Sequence, residues 1–175
     1  MISNHLKKIK SEIGDISEPY THFFTEGRWS SYELLLYLLF ISGKADITIT
    51  SFSISEQFLR ALKKAKENGY INLITGVFNV AVRRYKTDLM FFAANLFDEI
   101  YVGNFHLKIF LIKNDKFSIT VNQSANATPN PAHEAGVICT DIDIYNLYLE
   151  KINTAISKAQ LFDKHDIFRR HSKKN

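Results

Sequence analysis

The sequence has little of several residue types: one cysteine, one tryptophan, three prolines and seven glycines in 175 residues. A lone thiol, Cys139, cannot close a disulfide within the chain or build a thiolate metal cluster. Set in the apolar run from Ala135 to Cys139, it reads as a buried, inert side chain. So little Gly and Pro excludes a collagen-like or low-complexity chain. Long apolar runs are also lacking: Leu34 to Ile41 is less than half of the roughly 20 residues that span a bilayer. The opening MISNHLKKIKSEIGD has neither the apolar stretch nor the small-residue cleavage site of a secretory signal. A soluble, cytoplasmic protein without stable membrane association is the expectation. There is no Gly-rich phosphate loop, no dinucleotide fingerprint and no His-Glu-x-x-His pattern, so no metal and no cofactor are expected.

What is present is an ordinary globular mixture, 46% apolar and 23% charged, on a chain long enough for one domain and short for two. The 14 Phe and 8 Tyr are expected in a core or an interface, where aromatic rings bury large areas. The net charge of +4 and pI of about 9.1 are compatible with a polyanionic partner without demanding one. Basic residues cluster at Lys7, Lys8 and Lys10, at Arg83, Arg84 and Lys86, and at Arg169, Arg170, Lys173 and Lys174. Each cluster taken alone also fits a solvated face.

Ser30 with Glu33 forms a capping-box pattern that opens a helix to about Ile41, ended by Gly43 and apolar almost all round, hence buried. Asp46 to Phe52 alternates Ile with Thr and predicts a strand. Ser53 with Glu56 predicts a second capped helix, ending near Gly69. A strand follows at Tyr70 to Thr75, then a helix from about Ala81 to Leu96. This strand-helix-strand-helix order implies parallel pairing with right-handed crossovers. Four shorter strands are predicted at Glu99 to Val102, Phe105 to Ile112, Phe117 to Asn122 and Gly136 to Thr140, with a tight hairpin at Asn114-Asp115. A helix over about Asp143 to Phe162 closes the pattern. No internal repeat or linker interrupts what reads as one α/β domain.

His106 and Lys108 stand two apart in a predicted strand, and alternation turns them to one side of the sheet. An imidazole beside an ammonium at the head of an apolar strand is costly unless paired or used. The neighbouring positive charge disfavours a second one, keeping the imidazole neutral and nucleophilic. By itself the pair also fits a strand end reaching solvent. The next apolar strand is followed by the polar stretch Asn122 to Glu134, which holds Ser124 and Asn126, neutral donors suited to phosphate oxygens. Glu134 immediately precedes another apolar strand, where its carboxylate can reach an imidazole. The adjacent His133 is expected at the surface, since alternation turns it the other way.

His106-x-Lys108, then Ser124-x-Asn126, then Glu134 resembles the active-site signature of the phospholipase D superfamily, whose small single-motif members are mostly nucleases. The likeness extends upstream through Asp46 to Gly76 and covers about Gly27 to Thr140. It implies a phospholipase D-like mixed β-sheet flanked by helices, in a single α/β domain. Residues 27–163 form that domain, 1–26 a helical or loose N-terminal segment, and 164–175 a basic tail. Two positions depart from the family pattern. Lys113 stands where an Asp is usual, and Gln123 replaces the Gly that normally precedes the Ser.

The resemblance implies roles. His106 is the nucleophile that forms a phosphohistidine, Lys108 and Asn126 hold the non-bridging oxygens, Ser124 assists, and Glu134 orients an imidazole. Arg83 and Arg84 are candidates for substrate binding. The leaving oxygen needs a proton from a second imidazole, and with one motif per chain a homodimer must supply it. The expected activity is metal-independent phosphodiester cleavage, with nucleic acid as partner because the chain is basic and has no membrane segment. The alternatives are an inactive module that binds nucleic acid or protein, and a lipid phosphodiesterase.

Overall fold

A computed structural model of the chain describes residues 4–129 and 131–163. The basic tail expected over 164–175 lies outside the described residues.

The chain begins with helix α1 (Asn4–Ile13) and strand β1 (Tyr20–Phe24), followed by α2 (Ser31–Ser42), β2 (Ala45–Ser51), α3 (Glu56–Glu67) and β3 (Ile71–Asn79). Two short helices, α4 (Val80–Tyr85) and α5 (Thr87–Ala94), lead to β4 (Glu99–Gly103). Then come β5 (Ile109–Lys113), β6 (Ser118–Gln123), β7 (Ala135–Cys139), α6 (Ile142–Ile156) and the two-residue β8 (Gln160–Leu161). The strands form one mixed sheet in the order β1-β7-β6-β5-β2-β3-β4-β8. As the element order predicts, β2, β3 and β4 are parallel; β5, β6 and β7 join them by antiparallel pairing.

Each face of the sheet carries a different layer. Ile47 and Ile49 of β2, Phe110 and Ile112 of β5, and Ile119 and Val121 of β6 pack with Ile9, Leu34, Leu38, Phe58, Leu62 and Met90 from the helices α1, α2, α3 and α5. On the other face, Val77, Ile109 and Leu111 meet Tyr145 and Ile152 of α6. Strand alternation thus divides one apolar sheet between a thick and a thin layer. Among the described residues, no helix is long and apolar enough to cross a membrane.

Several details differ from the sequence-based expectation. Residues ahead of Gly27 contribute β1, which pairs with β7 along its whole length, from Tyr20 opposite Cys139 to Phe24 opposite Ala135. The helix expected over Ala81 to Leu96 breaks in two at Lys86. The next turn is held there by a tertiary contact, since the Lys86 ammonium donates to Ser53 Oγ (2.7 Å) and to the Ile54 carbonyl (2.8 Å). With Ser53 so engaged, α3 is capped by Ser55, whose hydroxyl accepts from Phe58 N–H at 3.2 Å. At α2 the predicted partners do meet: Glu33 accepts from Ser30 N–H and Ser30 Oγ, both at 2.8 Å.

Asp98 locks the start of β4 to β3. Burial alone would raise its carboxyl, but bonds from Ile74 N–H (2.7 Å) and the Lys66 ammonium (3.0 Å) outweigh burial and hold it below the usual carboxylate range. Because the folded form binds its proton less readily than the unfolded chain, the stabilisation is present at neutral pH. It is lost as pH falls through the unfolded value of about 3.9 towards the lower folded one. Asp98→Ala is expected to destabilise the protein by on the order of 1 kcal/mol at pH 7, a partly exposed pair being discounted for screening. Thermal melts of both proteins from pH 7 down to pH ~3 check this, the difference in Tm shrinking in acid.

Candidate active site

One edge of the sheet gathers the polar side chains. Strands β2 and β3 end there, β6 ends there, and β5 and β7 begin there, so the connecting segments after Ser51, before Ile109, after Gln123 and before Ala135 come together. Edges of this kind, where the ends of several strands and their loops meet, are where α/β folds carry function.

His106 and Lys108 lie just ahead of β5 rather than inside it, which corrects the expected strand span. The ladder nevertheless continues one step, since Gln123 N–H donates to the Lys108 carbonyl at 3.2 Å. The Lys108 ammonium donates to His106 Nδ1 and to the His106 carbonyl, each at 3.1 Å. The exposed His106 ring lies 5.0 Å from the Phe52 ring, tilted by 52°.

Asn126 meets the end of β2, the strand next to β5. The buried Ser51 hydroxyl lies 2.6 Å from the Ser53 carbonyl and 3.4 Å from Asn126 Oδ1, and accepts from Ala127 N–H at 2.9 Å. The Asn126 carbonyl accepts from Ser31 Oγ at 2.7 Å, so the start of α2 also fixes the loop. With Oδ1 turned to Ser51, the two Nδ2 hydrogens have no partner among the described residues and can meet an anion.

Ser124 and Glu134 form a third group. The Ser124 hydroxyl donates to the Glu134 carboxylate and accepts from Ala135 N–H at 3.1 Å. Backbone bonds to Thr25 hold Glu134 on both sides: Thr25 N–H donates to its carbonyl at 2.8 Å, and its own N–H donates to Thr25 Oγ1 at 3.0 Å. The sequence suggests an imidazole as the partner of Glu134; the structure gives its carboxylate a hydroxyl, Ser124. His133 is exposed. Of the two arginines, Arg83 donates to Gln160 Oε1 at 2.6 Å on β8, and Arg84 lies 5.9 Å from the Tyr85 ring. Both are on α4, which leaves the same edge after β3, and the Arg83 bond ties that helix to β8.

The two departures differ in setting. Lys113 lies at the far end of β5, bonded to Ser118 Oγ and 5.7 Å from the Tyr145 ring, well away from His106. Gln123 lies in the site itself, next to Lys108 in the ladder. Sequence reasoning missed Ser51, Phe52, Thr25 and Lys86. Only Lys86 had a signal, as part of a basic cluster; the others are set by contacts between distant segments.

No family model matches the sequence, and no curated protein matches it. Solved structures do share its architecture. Nuc from Salmonella typhimurium, a phospholipase D family member, superposes with a TM-score of 0.62 at 18% identity, over 83% of this chain and 98% of that one. NucT from Helicobacter pylori gives 0.60 at 16%, over 82% and 99%. TrmBL2, an archaeal chromatin protein with a novel mode of DNA binding, gives 0.56 at 13%, over 82% of this chain and 54% of its own. At these identities the likeness is one of architecture, and the chain carries the phospholipase D fold.

Proposed function

We propose that this protein is a metal-independent phosphodiesterase that cleaves nucleic acid through a phosphohistidine, in a site shared by two copies of the chain. The observation that carries the reading is the convergence of His106 and Lys108 with Asn126 and the Ser124–Glu134 pair at one sheet edge. His106 attacks phosphorus and expels the leaving oxygen, which takes a proton from the partner copy's imidazole; water then displaces the phosphoryl group from nitrogen. Lys108 and the Asn126 amide offset the charge on the non-bridging oxygens. Glu134, acting with Ser124, supplies the carboxylate that steadies an imidazolium. Arg84, exposed on α4, contributes to the basic surface that meets the nucleic-acid backbone, with Arg83 anchoring that helix through Gln160.

Support for a second copy comes from the single motif and from apolar surface near the site, where Phe52 and Leu107 flank His106 at 36% exposure each. The resemblance of the motif to small phospholipase D-type nucleases, together with the basic net charge, favours nucleic acid over lipid as substrate. The likeness to TrmBL2 supports a second reading, a non-cleaving module that binds DNA through the same edge. The test is incubation with single- and double-stranded DNA and RNA, and with phospholipid vesicles, each with and without EDTA. Cleavage of a nucleic acid that survives EDTA is the expected result. Binding without cleavage favours the second reading, and cleavage abolished by chelation overturns the first.

A further inference from the structure

A row of residues crosses the sheet at the edge just described. Phe23 of β1 faces Gly136 of β7, and Gly136 faces Gln123 of β6. Gln123 pairs with Lys108, and continuing the β2–β5 register one step from Thr50 and Ile109 sets Ser51 on the far side of Lys108. By alternation, Gln123 shares its face with Ile119 and Val121, and Lys108 shares the same face with Phe110 and Ile112. The two side chains are therefore direct cross-strand neighbours, with Cβ atoms about 5 Å apart. Gly136 makes the room: a Cβ there would lie 2.9 Å from Gln123 Cβ and 2.5 Å from Phe23 Cζ.

The Gln123 amide is the anomaly of this row. The residue is 8% exposed, and among the described residues neither Oε1 nor Nε2 has a hydrogen-bond partner. Buried amides are nearly always paired, because an orphaned one is destabilising. A donor stands next door, yet the Lys108 ammonium goes instead to His106 Nδ1 and the His106 carbonyl. Donation to Nδ1 requires that nitrogen to be unprotonated, which puts the proton of a neutral His106 on Nε2. Attack on phosphorus through Nε2, the ring nitrogen turned away from Lys108, needs the opposite tautomer. A protonated ring excludes the contact as well, since two cationic donors would face each other. The proposed reaction thus requires Lys108 in two positions.

We infer that Gln123 is a positioning residue for Lys108: Oε1 receives the ammonium whenever His106 carries a proton on Nδ1. The inference rests on the phosphohistidine reading above and supplies its missing second position for Lys108. It also accounts for a glutamine being kept unsatisfied beside the site. The charged groups on the elements around His106 are Lys108, bonded to the ring at Nδ1, Glu134, which is bonded to Ser124, and Lys86, which is bonded to Ser53 and Ile54; the Phe52 ring also lies 5.0 Å from the imidazole.

Nitrogen-15 NMR of the free protein tests this without substrate. The neutral His106 ring is expected as the Nε2–H tautomer, and the Gln123 side-chain amide signals are expected to shift with the same midpoint as His106 protonation. In Gln123→Met, which keeps the shape and removes the acceptor, Lys108 loses its second position and the Nδ1–H form of His106 becomes less populated. With a cleavable substrate, kcat falls on the order of tenfold or more with KM little changed, while Tm rises because an orphaned amide has gone. Gln123→Glu restores an acceptor and much of kcat. If the Gln123 amide ignores His106 protonation, or if Gln123→Met changes only Tm, the amide serves an internal water at most and the inference fails. Because the NMR arm needs no cleavage, coupled signals in a protein that cuts nothing would uphold the Lys108 shift and sink the phosphodiesterase reading separately.

Discussion

Replacing His106 by alanine is expected to reduce cleavage by at least about 10³-fold, because the proposed covalent route disappears with its nucleophile. The ring is exposed, tilted against Phe52 and bonded to Lys108 at Nδ1, so the fold loses little. Surface substitutions of this kind change stability by about 0.5 kcal/mol or less, and Tm should stay near that of the natural chain. In the proposed mechanism, Lys108→Ala and Asn126→Ala each remove one source of charge stabilisation for the non-bridging oxygens. Each should cost about 10²- to 10³-fold in kcat. Asn126→Ala carries an added structural risk, because its Oδ1 faces the buried Ser51 hydroxyl. Ser51→Ala is the control for that effect. Rates of all four variants on the best substrate, measured beside thermal melts, separate chemistry from folding. Undiminished cleavage by His106→Ala at unchanged Tm would rule out a phosphohistidine.

The parts of this molecule that were legible in the sequence are those determined by neighbours in the chain. The Ile-Thr alternation of β2, the apolar helix α2 behind Ser30 and Glu33, and the stripe of Phe58, Leu59, Leu62 and Ala65 on α3 depend on local period, and all formed. β1 was not foreseen. Its residues Tyr20-Thr21-His22-Phe23-Phe24 show no clean alternation of apolar and polar types, and their partner β7 lies more than a hundred residues on. The two-residue β8 has no periodicity to detect. The break at Lys86 escaped notice because nothing in the local sequence opposes a helix there; a contact to Ser53 and Ile54 decides it. In the site, the order His106, Lys108, Ser124, Asn126, Glu134 marks segments that the fold brings to one end of the sheet, but not the pairings His106–Lys108, Asn126–Ser51 and Ser124–Glu134. Glu134 engages Ser124 because Thr25, a residue of the expected N-terminal segment, clamps the backbone of Glu134 on both sides. Gln123 could be singled out as a departure from a family pattern, whereas its orphaned amide depends on Gly136 leaving space across the ladder.

Mixing the natural chain with His106→Ala is expected to poison activity more strongly than dilution alone. In the proposed site one imidazole attacks while the other donates a proton to the leaving oxygen, so both come from a pair of chains. A dimer with a single His106 lacks either the nucleophile or the acid, and the surviving imidazole cannot serve as both in one displacement. If subunits exchange freely at equal concentrations, about one quarter of the dimers are natural pairs, one quarter carry no His106 and one half are mixed. Activity per natural chain should then fall to about half of its unmixed value, and continue down in proportion to the natural fraction as the variant is added in excess. Were each chain a complete enzyme, activity per natural chain would stay constant at every ratio. The measurement needs co-refolding or prolonged incubation so that exchange is complete, with light scattering to establish the assembly and differently tagged chains to count mixed pairs. A flat titration in the presence of demonstrated mixed dimers would mean that the second imidazole is not required, and the proton for the leaving group would then have to come from within one chain.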